Sequence, residues 1–168
     1  MYLEIDASGI VVQLKIKGYT PSWKENWDSQ WCRCDYTFRS GDWLNYHGED
    51  DEVLLFCEVE ALEKTLTKLL NDELEEVKEI CCIEPDFMFK MHPKRDLRND
   101  PSYTYIRPGY EIADIYMEWK VYFWHVGLTD NFLTVTLRRD EIIRFRDYLS
   151  QIINAAKVAN TTEKPEGR

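Results

Sequence analysis

Five cysteines are the residues of this chain best suited to thiol or metal chemistry. In a strand, Cys32 and Cys34 share one face, whereas the adjacent Cys81 and Cys82 point to opposite faces. The chain has no C-x-x-C pair, and an odd number of cysteines excludes complete pairing into disulfides within one chain. The histidines that a zinc site could recruit stand in unrelated segments, at His47, His92 and His125. We therefore predict buried, reduced thiols, no metal and no other cofactor.

Asp50 and Asp51 could form a carboxylate pair of the kind that general acid–base catalysis uses. Adjacent carboxylates on a turn usually face solvent, however. The chain also lacks the G-x-S-x-G, H-E-x-x-H, G-x-G-x-x-G and P-loop patterns of hydrolases, metalloproteases and nucleotide-binding enzymes. The sequence therefore predicts a protein that is not an enzyme.

The acidic residues are concentrated between Asp42 and Asp86. This segment contains fifteen acidic residues and only three lysines. This segment has a net charge of −12 in a chain whose total is −10. Such a surface is typical of a protein that binds a basic partner, although solubility alone would explain it about equally well. Nucleic acid is disfavoured as a partner, because only the last helix is basic. Its arginines are Arg138, Arg139, Arg144 and Arg146.

The 168 residues are enough for one domain with its own core, and we predict a single domain over 1–159 and a flexible tail over 160–168. The acidic start of the chain has no signal-peptide pattern, and no apolar run approaches the roughly 20 residues of a membrane helix. We expect a cytoplasmic protein that does not enter a membrane.

Hydrophobic periodicity predicts the elements that position these residues. Period-two alternation or short apolar runs predict strands at 12–17, 31–38, 43–46, 53–57, 79–83, 87–91, 115–123 and 133–137. Turns are predicted at 40–42 and 48–51, and a long loop at 92–109. Helical spacing predicts helices at 58–70, ending at Asn71, and at 140–159.

This order of elements predicts an α+β fold, a two-layer sandwich in which one mainly antiparallel sheet carries both helices on one face. The other face of the longest strand then presents Tyr116, Tyr122 and Trp124 beside Glu118 and Lys120. Aromatic and charged side chains together are enriched at partner surfaces. Alternatively, these aromatic rings stack across strands and shield the sheet.

Several segments occur in the order found in a known family: WDSQW at 27–31, EALEKTL at 60–66, IEPDFMF at 83–89, LTVTL at 133–137 and EIIRF at 141–145. In these segments the chain resembles the WapI family of bacterial immunity proteins, which are cytoplasmic antidotes to contact-dependent toxins. The segments 41–51 and 92–109 are longer than the family pattern.

The resemblance implies inhibition by binding. Toxin domains of this kind are commonly nucleases with a basic groove, which an acidic antidote could occupy as a mimic of phosphate. The residues expected to meet the toxin are Glu49, Asp50, Asp51, Asp72, Glu73, Glu75 and Glu76.

A second hypothesis comes from a different class of protein. A structural or regulatory protein could hold a partner, or a second copy of itself, through the aromatic sheet face that includes Tyr116 and Trp124. The sequence is compatible with a monomer or a dimer. A small-molecule binding domain has no polar constellation in the sequence to support it.

The thiol prediction is tested by metal analysis. We expect the purified protein to contain no bound zinc and its stability not to depend on reductant. Stoichiometric zinc would contradict the assignment of the cysteines.

Overall fold

Two four-stranded antiparallel sheets form most of the computed structural model, which describes residues 1–18 and 30–161 and the side chains of 1–18 and 30–159. The first sheet has its strands in sequence order: β1 (Leu3–Ala7), β2 (Ile10–Lys17), β3 (Trp31–Ser40) and β4 (Leu44–Leu55). Helix α1 (Phe56–Leu70) follows β4 directly.

The second sheet contains β5 (Lys78–Cys81), β6 (Phe87–His92), β9 (Tyr116–Trp124) and β10 (Leu128–Arg138), in the order β10-β9-β6-β5. A small pair of strands, β7 (Arg95–Asp96) and β8 (Ile112–Ala113), lies in the connection between β6 and β9. Helix α2 (Arg139–Thr161) ends the described chain.

The predicted α+β class, with two helices and mainly antiparallel pairing, is confirmed. The prediction of one sheet is wrong, because the strands divide into two sheets at α1. Alternation shows which face of a strand is buried, but it does not show which strand lies beside it. After α1, β5 pairs with β6 and not with the first sheet.

An aromatic cluster joins the two sheets. Tyr36 of β3 packs edge-on against Phe87 of β6, with ring centroids 5.2 Å apart. Phe38 meets Trp119 of β9 at 5.4 Å, and Trp119 stacks on Phe145 of α2 at 5.1 Å. Such ring pairs contribute about 0.5–1.5 kcal/mol each beyond the apolar area they bury.

Both helices bury the apolar stripes that the sequence predicts, except that Leu70 at the end of α1 is only partly buried, and Asn71 caps α1 as expected. The buried residues are Phe56, Val59, Leu62, Leu66 and Leu69 of α1, and Ile142, Phe145, Tyr148, Leu149, Ile152, Ile153 and Ala156 of α2. Helix α1 contacts β4 and β6, and α2 contacts β1, β9 and β10, so each helix reaches both sheets.

Two hydrogen bonds fix the position of α2. The backbone N–H of Ile16 donates to the Tyr148 hydroxyl at 2.7 Å, and the Ser150 hydroxyl donates to Glu63 of α1 at 2.8 Å. Neither helix is long and apolar enough to cross a membrane, within the part of the chain that the structure describes.

The segment 48–51 is a β-bulge and not the predicted turn, so β4 is one strand where the sequence predicts two. Tyr36 lies opposite Gly48 and Cys34 lies opposite Asp51, which leaves two residues of β4 facing one residue of β3. Asp50 has a positive φ of 59°. The extra residue interrupts the alternation, and a glycine followed by acidic residues then resembles a turn.

Other differences concern short or terminal elements. Strand β1 is absent from the sequence prediction because its five residues give only two and a half periods of alternation. The predicted loop 92–109 contains β7 and a turn of 3-10 helix at Leu97–Asn99. Helix α2 extends two residues beyond the predicted end at 159, and the tail over 162–168 lies outside the described residues, as does segment 27–29.

Substitution of Gly48 by alanine tests the packing at the bulge. A Cβ atom at this position would overlap the Tyr36 ring and a carboxylate oxygen of Asp51. Because Tyr36 is buried in the aromatic cluster, we expect Gly48→Ala to lower the free energy of unfolding by about 1–3 kcal/mol, the usual cost of overpacking. Urea unfolding measures this change. The neighbouring exposed substitution Glu49→Ala is the control, and equal stabilities of the two variants would contradict the packing.

Candidate partner-binding site

The acidic residues predicted to meet a partner fall into two groups on different elements. Glu49, Asp50 and Asp51 lie in the bulge of β4, and Asp72, Glu73, Glu75 and Glu76 lie in the loop after α1. Asp51 is half-buried and the other six are exposed. Fifteen residues of helix, about 22 Å long, separate the two groups along the chain.

Cations of the chain already neutralise Asp50. Its carboxylate lies 3.2 Å from Lys17 Nζ and 2.8 Å from Arg33 Nη1. Lys17 also contacts Asp35 at 2.5 Å, and this hydrogen bond lowers the pKa of Asp35. Asp50 therefore stabilises the bulge and does not offer a free charge.

Asp51 turns away from Asp50, so the two do not form a carboxylate pair. Its Oδ2 accepts a hydrogen bond from the Tyr36 hydroxyl at 3.2 Å, whereas Asp50 is held by Lys17 and Arg33. Burial raises the pKa of Tyr36 well above its usual range, so this hydroxyl remains a neutral donor. The general acid–base arrangement that the sequence allowed does not form.

In the second group, Asp72 forms an ion pair with a cation of the chain. Arg139 of α2 lies 3.7 Å from Asp72 and makes a two-pronged contact with Asp114, at 2.5 and 2.9 Å. Glu73 accepts a hydrogen bond from the Asn71 amide at 3.1 Å. Glu75 and Glu76 are exposed.

A cavity of about 420 Å³ brings one of these acidic residues together with the predicted aromatic face. It opens between β4, the loop 82–86 and the end of β9, and its volume is within the roughly 300–1,000 Å³ of ligand pockets. Its lining consists of Tyr36, Tyr46, His47, Asp51, Glu52, Val53, Glu84, Asp86 and Trp124. Asp51 and Trp124, which the sequence assigned to different surfaces, therefore share one site.

The loop that carries Glu84 and Asp86 is anchored on both sides of the cavity. Glu58, in the first turn of α1, accepts hydrogen bonds from the backbone N–H groups of Leu55 at 2.8 Å and Ile83 at 2.7 Å. At the other end, the Tyr122 N–H donates to the Asp86 carbonyl at 3.0 Å. The site thus depends on a side chain of α1 and the backbone of β9.

Asp86 is the buried charged residue of the site, with only 7% of its surface exposed. The Trp124 side chain donates a hydrogen bond to it, but loss of solvent outweighs this bond and raises the pKa of Asp86 to about 6. The nearby carboxylates of Glu84 and Asp51 act in the same direction. At neutral pH Asp86 is therefore charged at a cost in free energy.

The four carboxylates of the cavity have no cation beside them among the residues that the structure describes. In residues 1–18 and 30–159, no ion pair involves Asp51, Glu52, Glu84 or Asp86. Elsewhere, Lys17, Arg33, Arg95, Arg98 and Arg139 each contact one or more carboxylates. The four carboxylates give this cavity a negative potential.

Aromatic rings form the walls. Tyr36 and Tyr46 lie 6.0 Å apart, and Tyr46 packs edge-on against Phe123 at 4.8 Å. Trp124 is 43% exposed, so its indole is accessible to a partner. Rings of this kind bind cations over their faces as well as providing apolar contact.

In the rest of the aromatic face, some rings pack against neighbouring side chains and others are exposed to solvent. Tyr116 stacks on His92 with ring centroids 4.1 Å apart, as the shielding alternative predicts. Lys120 lies 4.4 Å from the Phe132 ring and also contacts Tyr122. At the hairpin between β9 and β10, large apolar side chains are exposed: Trp124, Val126, Leu128 and Phe132.

The cysteines differ in part from the prediction. Cys32, Cys34 and Cys82 are buried, and burial raises the pKa of Cys32 to about 12. Cys57 and Cys81 are exposed, so the prediction that all five are buried is wrong for these two. Cys57 lies in the first turn of α1 and not in the predicted strand, and Cys81 points away from the buried Cys82.

Three residues of the site were not predicted from the sequence: Glu52, Glu84 and Asp86. All three lie in the acidic segment, but no periodicity indicates that β4 and the loop 82–86 meet across two sheets. The one available signal was the position of Glu84-Pro85-Asp86 in a turn between two strands, beside the apolar Phe87.

Substitution of Asp86 by asparagine tests the cost of the buried charge. The folded pKa of about 6 lies above the unfolded value of about 3.9, so protonation stabilises the folded protein below pH 4 and this contribution is lost as the pH rises through 6. Two pH units correspond to about 3 kcal/mol. We therefore expect Asp86→Asn to raise the free energy of unfolding at pH 8 by up to about 3 kcal/mol and to have little effect at pH 4.

The matched control is Asp114→Asn. The hydrogen bond from Arg139 lowers the pKa of Asp114 to about 2, so its contribution is present at neutral pH and lost in acid. Urea unfolding from pH 4 to 8 measures the change in the free energy of unfolding that each substitution causes. At neutral pH this change should be positive for Asp86→Asn and negative for Asp114→Asn. If Asp86→Asn instead lowers the free energy of unfolding at pH 8, the conclusion that the charge of Asp86 destabilises the folded protein is wrong.

Comparison with protein families assigns the chain independently of the site. The family model described as the immunity protein WapI-like family matches residues 3–157. Comparison with curated proteins finds no match. The matched region includes both sheets, α1, the cavity and all but the end of α2, so the chain belongs to the WapI-like family of immunity proteins.

Proposed function

We propose that the protein neutralises a cognate toxin by binding it, with the acidic cavity and the exposed Trp124 at the centre of the interface. The toxin is one that a neighbouring bacterium delivers by contact, and the protein acts on it in the cytoplasm without catalysis. The family supplies the immunity function. The observation that supports the proposed surface is the set of four carboxylates around the cavity, which have no cation beside them among the described residues.

The chemistry of the cavity favours a basic partner. Four carboxylates in one concave site repel each other, and a partner that brings positive charge removes this repulsion on binding. A nuclease has a basic groove for the phosphate backbone of its substrate. We therefore propose a nuclease domain as the toxin, with its groove or the rim of the groove placed over the cavity.

The exposed acidic residues outside the cavity have a different proposed role. Glu49 lies in the bulge of β4, whereas Glu75 and Glu76 lie beyond α1. Their charges add to the negative field that attracts a basic toxin during diffusion. Charges of this kind chiefly change the association rate, while buried contacts govern dissociation.

One observation supports the second hypothesis, a partner bound through the aromatic face. The hairpin between β9 and β10 exposes Val126, Leu128 and Phe132 close in sequence to Trp124. An apolar patch of this kind would bind a partner, or a second copy of the chain, with little dependence on salt.

Binding kinetics with the toxin encoded by the neighbouring gene distinguish the two surfaces. The cavity variant is Glu52→Gln with Glu84→Gln, and the hairpin variant is Leu128→Ser with Phe132→Ser. If the cavity binds the toxin, the cavity variant should weaken binding by about tenfold or more, since charged hydrogen bonds contribute about 1.5–3 kcal/mol each. The hairpin variant should change it much less.

The variant Glu75→Gln with Glu76→Gln is the matched control for loss of two charges. It should slow association at low salt and have little effect at moderate salt, because screening limits the field to about 8 Å at physiological ionic strength. Loss of binding in the hairpin variant alone, with the cavity variant unchanged, would reject the proposed interface and favour the aromatic face.

A further inference from the structure

The cavity has features that define the chemistry of what enters it. Asp86 lines it and is more than nine-tenths buried, and its carboxylate accepts neutral hydrogen bonds from the Trp124 side chain and from its own backbone N–H. A carboxylate has two oxygens and about four acceptor positions. The remaining positions, together with those of Glu84 and Asp51, are available to donors from outside the chain.

A positive group supplies those donors more effectively than a neutral one. The structure gives Asp86 no cation from the residues it describes, and a charged donor offsets a buried carboxylate far better than a neutral one. A bare metal ion fits poorly, because no three His, Cys, Asp or Glu side chains come together closely enough to hold one in the described parts of the chain. The carboxylates are spread around the cavity, so they suit a group that presents donors in several directions.

The aromatic walls distinguish a guanidinium from an ammonium group. A guanidinium is planar, stacks on aromatic faces and carries five N–H donors in a fixed fork, whereas an ammonium is compact and strongly hydrated. The cavity presents Tyr36, Tyr46 and Trp124 beside carboxylates on β4 and on the loop 82–86. Stacking and carboxylate contacts can therefore act together on one planar group.

We propose that this cavity is a receptor for a single arginine side chain, whose guanidinium lies against the aromatic wall and donates to Asp86 and its neighbouring carboxylates. This inference rests on the proposed function only for the source of the arginine, which is an exposed residue of the toxin. The cavity would then recognise one basic residue of its partner as well as the general charge of the surface.

The geometry also predicts how pH controls this site. Protonation of Asp86 below about pH 6 removes its charge from the cavity, so arginine binding should weaken in acid. The other titratable groups that face the cavity are Tyr36 on β3, Tyr46, His47, Asp51 and Glu52 on β4, and Glu84 on the same loop.

The test uses the full chain without toxin and follows the indole N–H signal of Trp124 by NMR. Three probes are titrated at pH 7.5: N-acetyl-arginine amide, N-acetyl-lysine amide and N-acetyl-citrulline amide. Citrulline has the shape of arginine but no charge. We expect saturable shifts of the Trp124 signal with arginine, binding at least about threefold weaker with lysine, and no saturable binding with citrulline.

Two variants assign the binding to Asp86. Asp86→Asn should weaken binding of the arginine probe by about tenfold or more, in line with loss of a charged hydrogen bond. The exposed variant Glu75→Gln should bind as the wild type does. Because Asp86→Asn is expected to be stable, a loss of binding cannot come from unfolding, and the dispersion of its NMR spectrum checks this directly.

The outcomes separate this inference from the proposed function. Equal shifts with arginine and citrulline, or unchanged arginine binding by Asp86→Asn, would overturn the arginine receptor even if the toxin binds. Arginine binding that depends on Asp86 supports the receptor, even if the neighbouring toxin forms no complex and the proposed function fails. Arginine binding that is as strong at pH 5 as at pH 7.5 would also contradict the role of Asp86.

Discussion

The contact of Tyr36 with Phe87 is the interaction on which the rest of the structure depends. It joins β3 of the first sheet to β6 of the second, next to the contact between Phe38 and Trp119. The same Tyr36 side chain lies against Gly48 in the bulge, and its hydroxyl donates to Asp51. One residue therefore connects the core between the sheets with the wall of the cavity, so the packing of that core positions the cavity.

A buried carboxylate that has no cation beside it among the described residues is difficult to explain by stability. Asp86 is more than nine-tenths buried, and solvent loss makes its charged form unfavourable in the folded protein. A neutral residue of the same shape would avoid this cost. Proteins accept such a cost at sites where a ligand supplies the missing charge, and functional sites are where perturbed acidic groups are concentrated. The position of Asp86 in an open cavity, and not in the core between the sheets, agrees with that explanation.

The sequence predicted individual elements better than their arrangement. The alternation of Cys32, Cys34, Tyr36 and Phe38, and the helical spacing in both helices, identified buried faces because burial acts on each element separately. The division into two sheets was not predictable in this way, since it depends on contacts between residues far apart in the chain, such as Tyr36 and Phe87. The same limit applies to the site. The acidic segment and Trp124 were both identified, but only the fold shows that Asp51, Asp86 and Trp124 meet, while Asp50 and Asp72 are held by cations of the chain.

The central claim is that the toxin binds over the cavity between β4 and the loop 82–86. Hydrogen–deuterium exchange of the complex with the toxin encoded by the neighbouring gene tests this claim most directly, because it locates the interface without any substitution. The account predicts slower exchange on binding in residues 46–53, 82–86 and 122–126, and unchanged exchange in the loop 72–76. Slower exchange confined to β10, with the cavity segments unchanged, would contradict it.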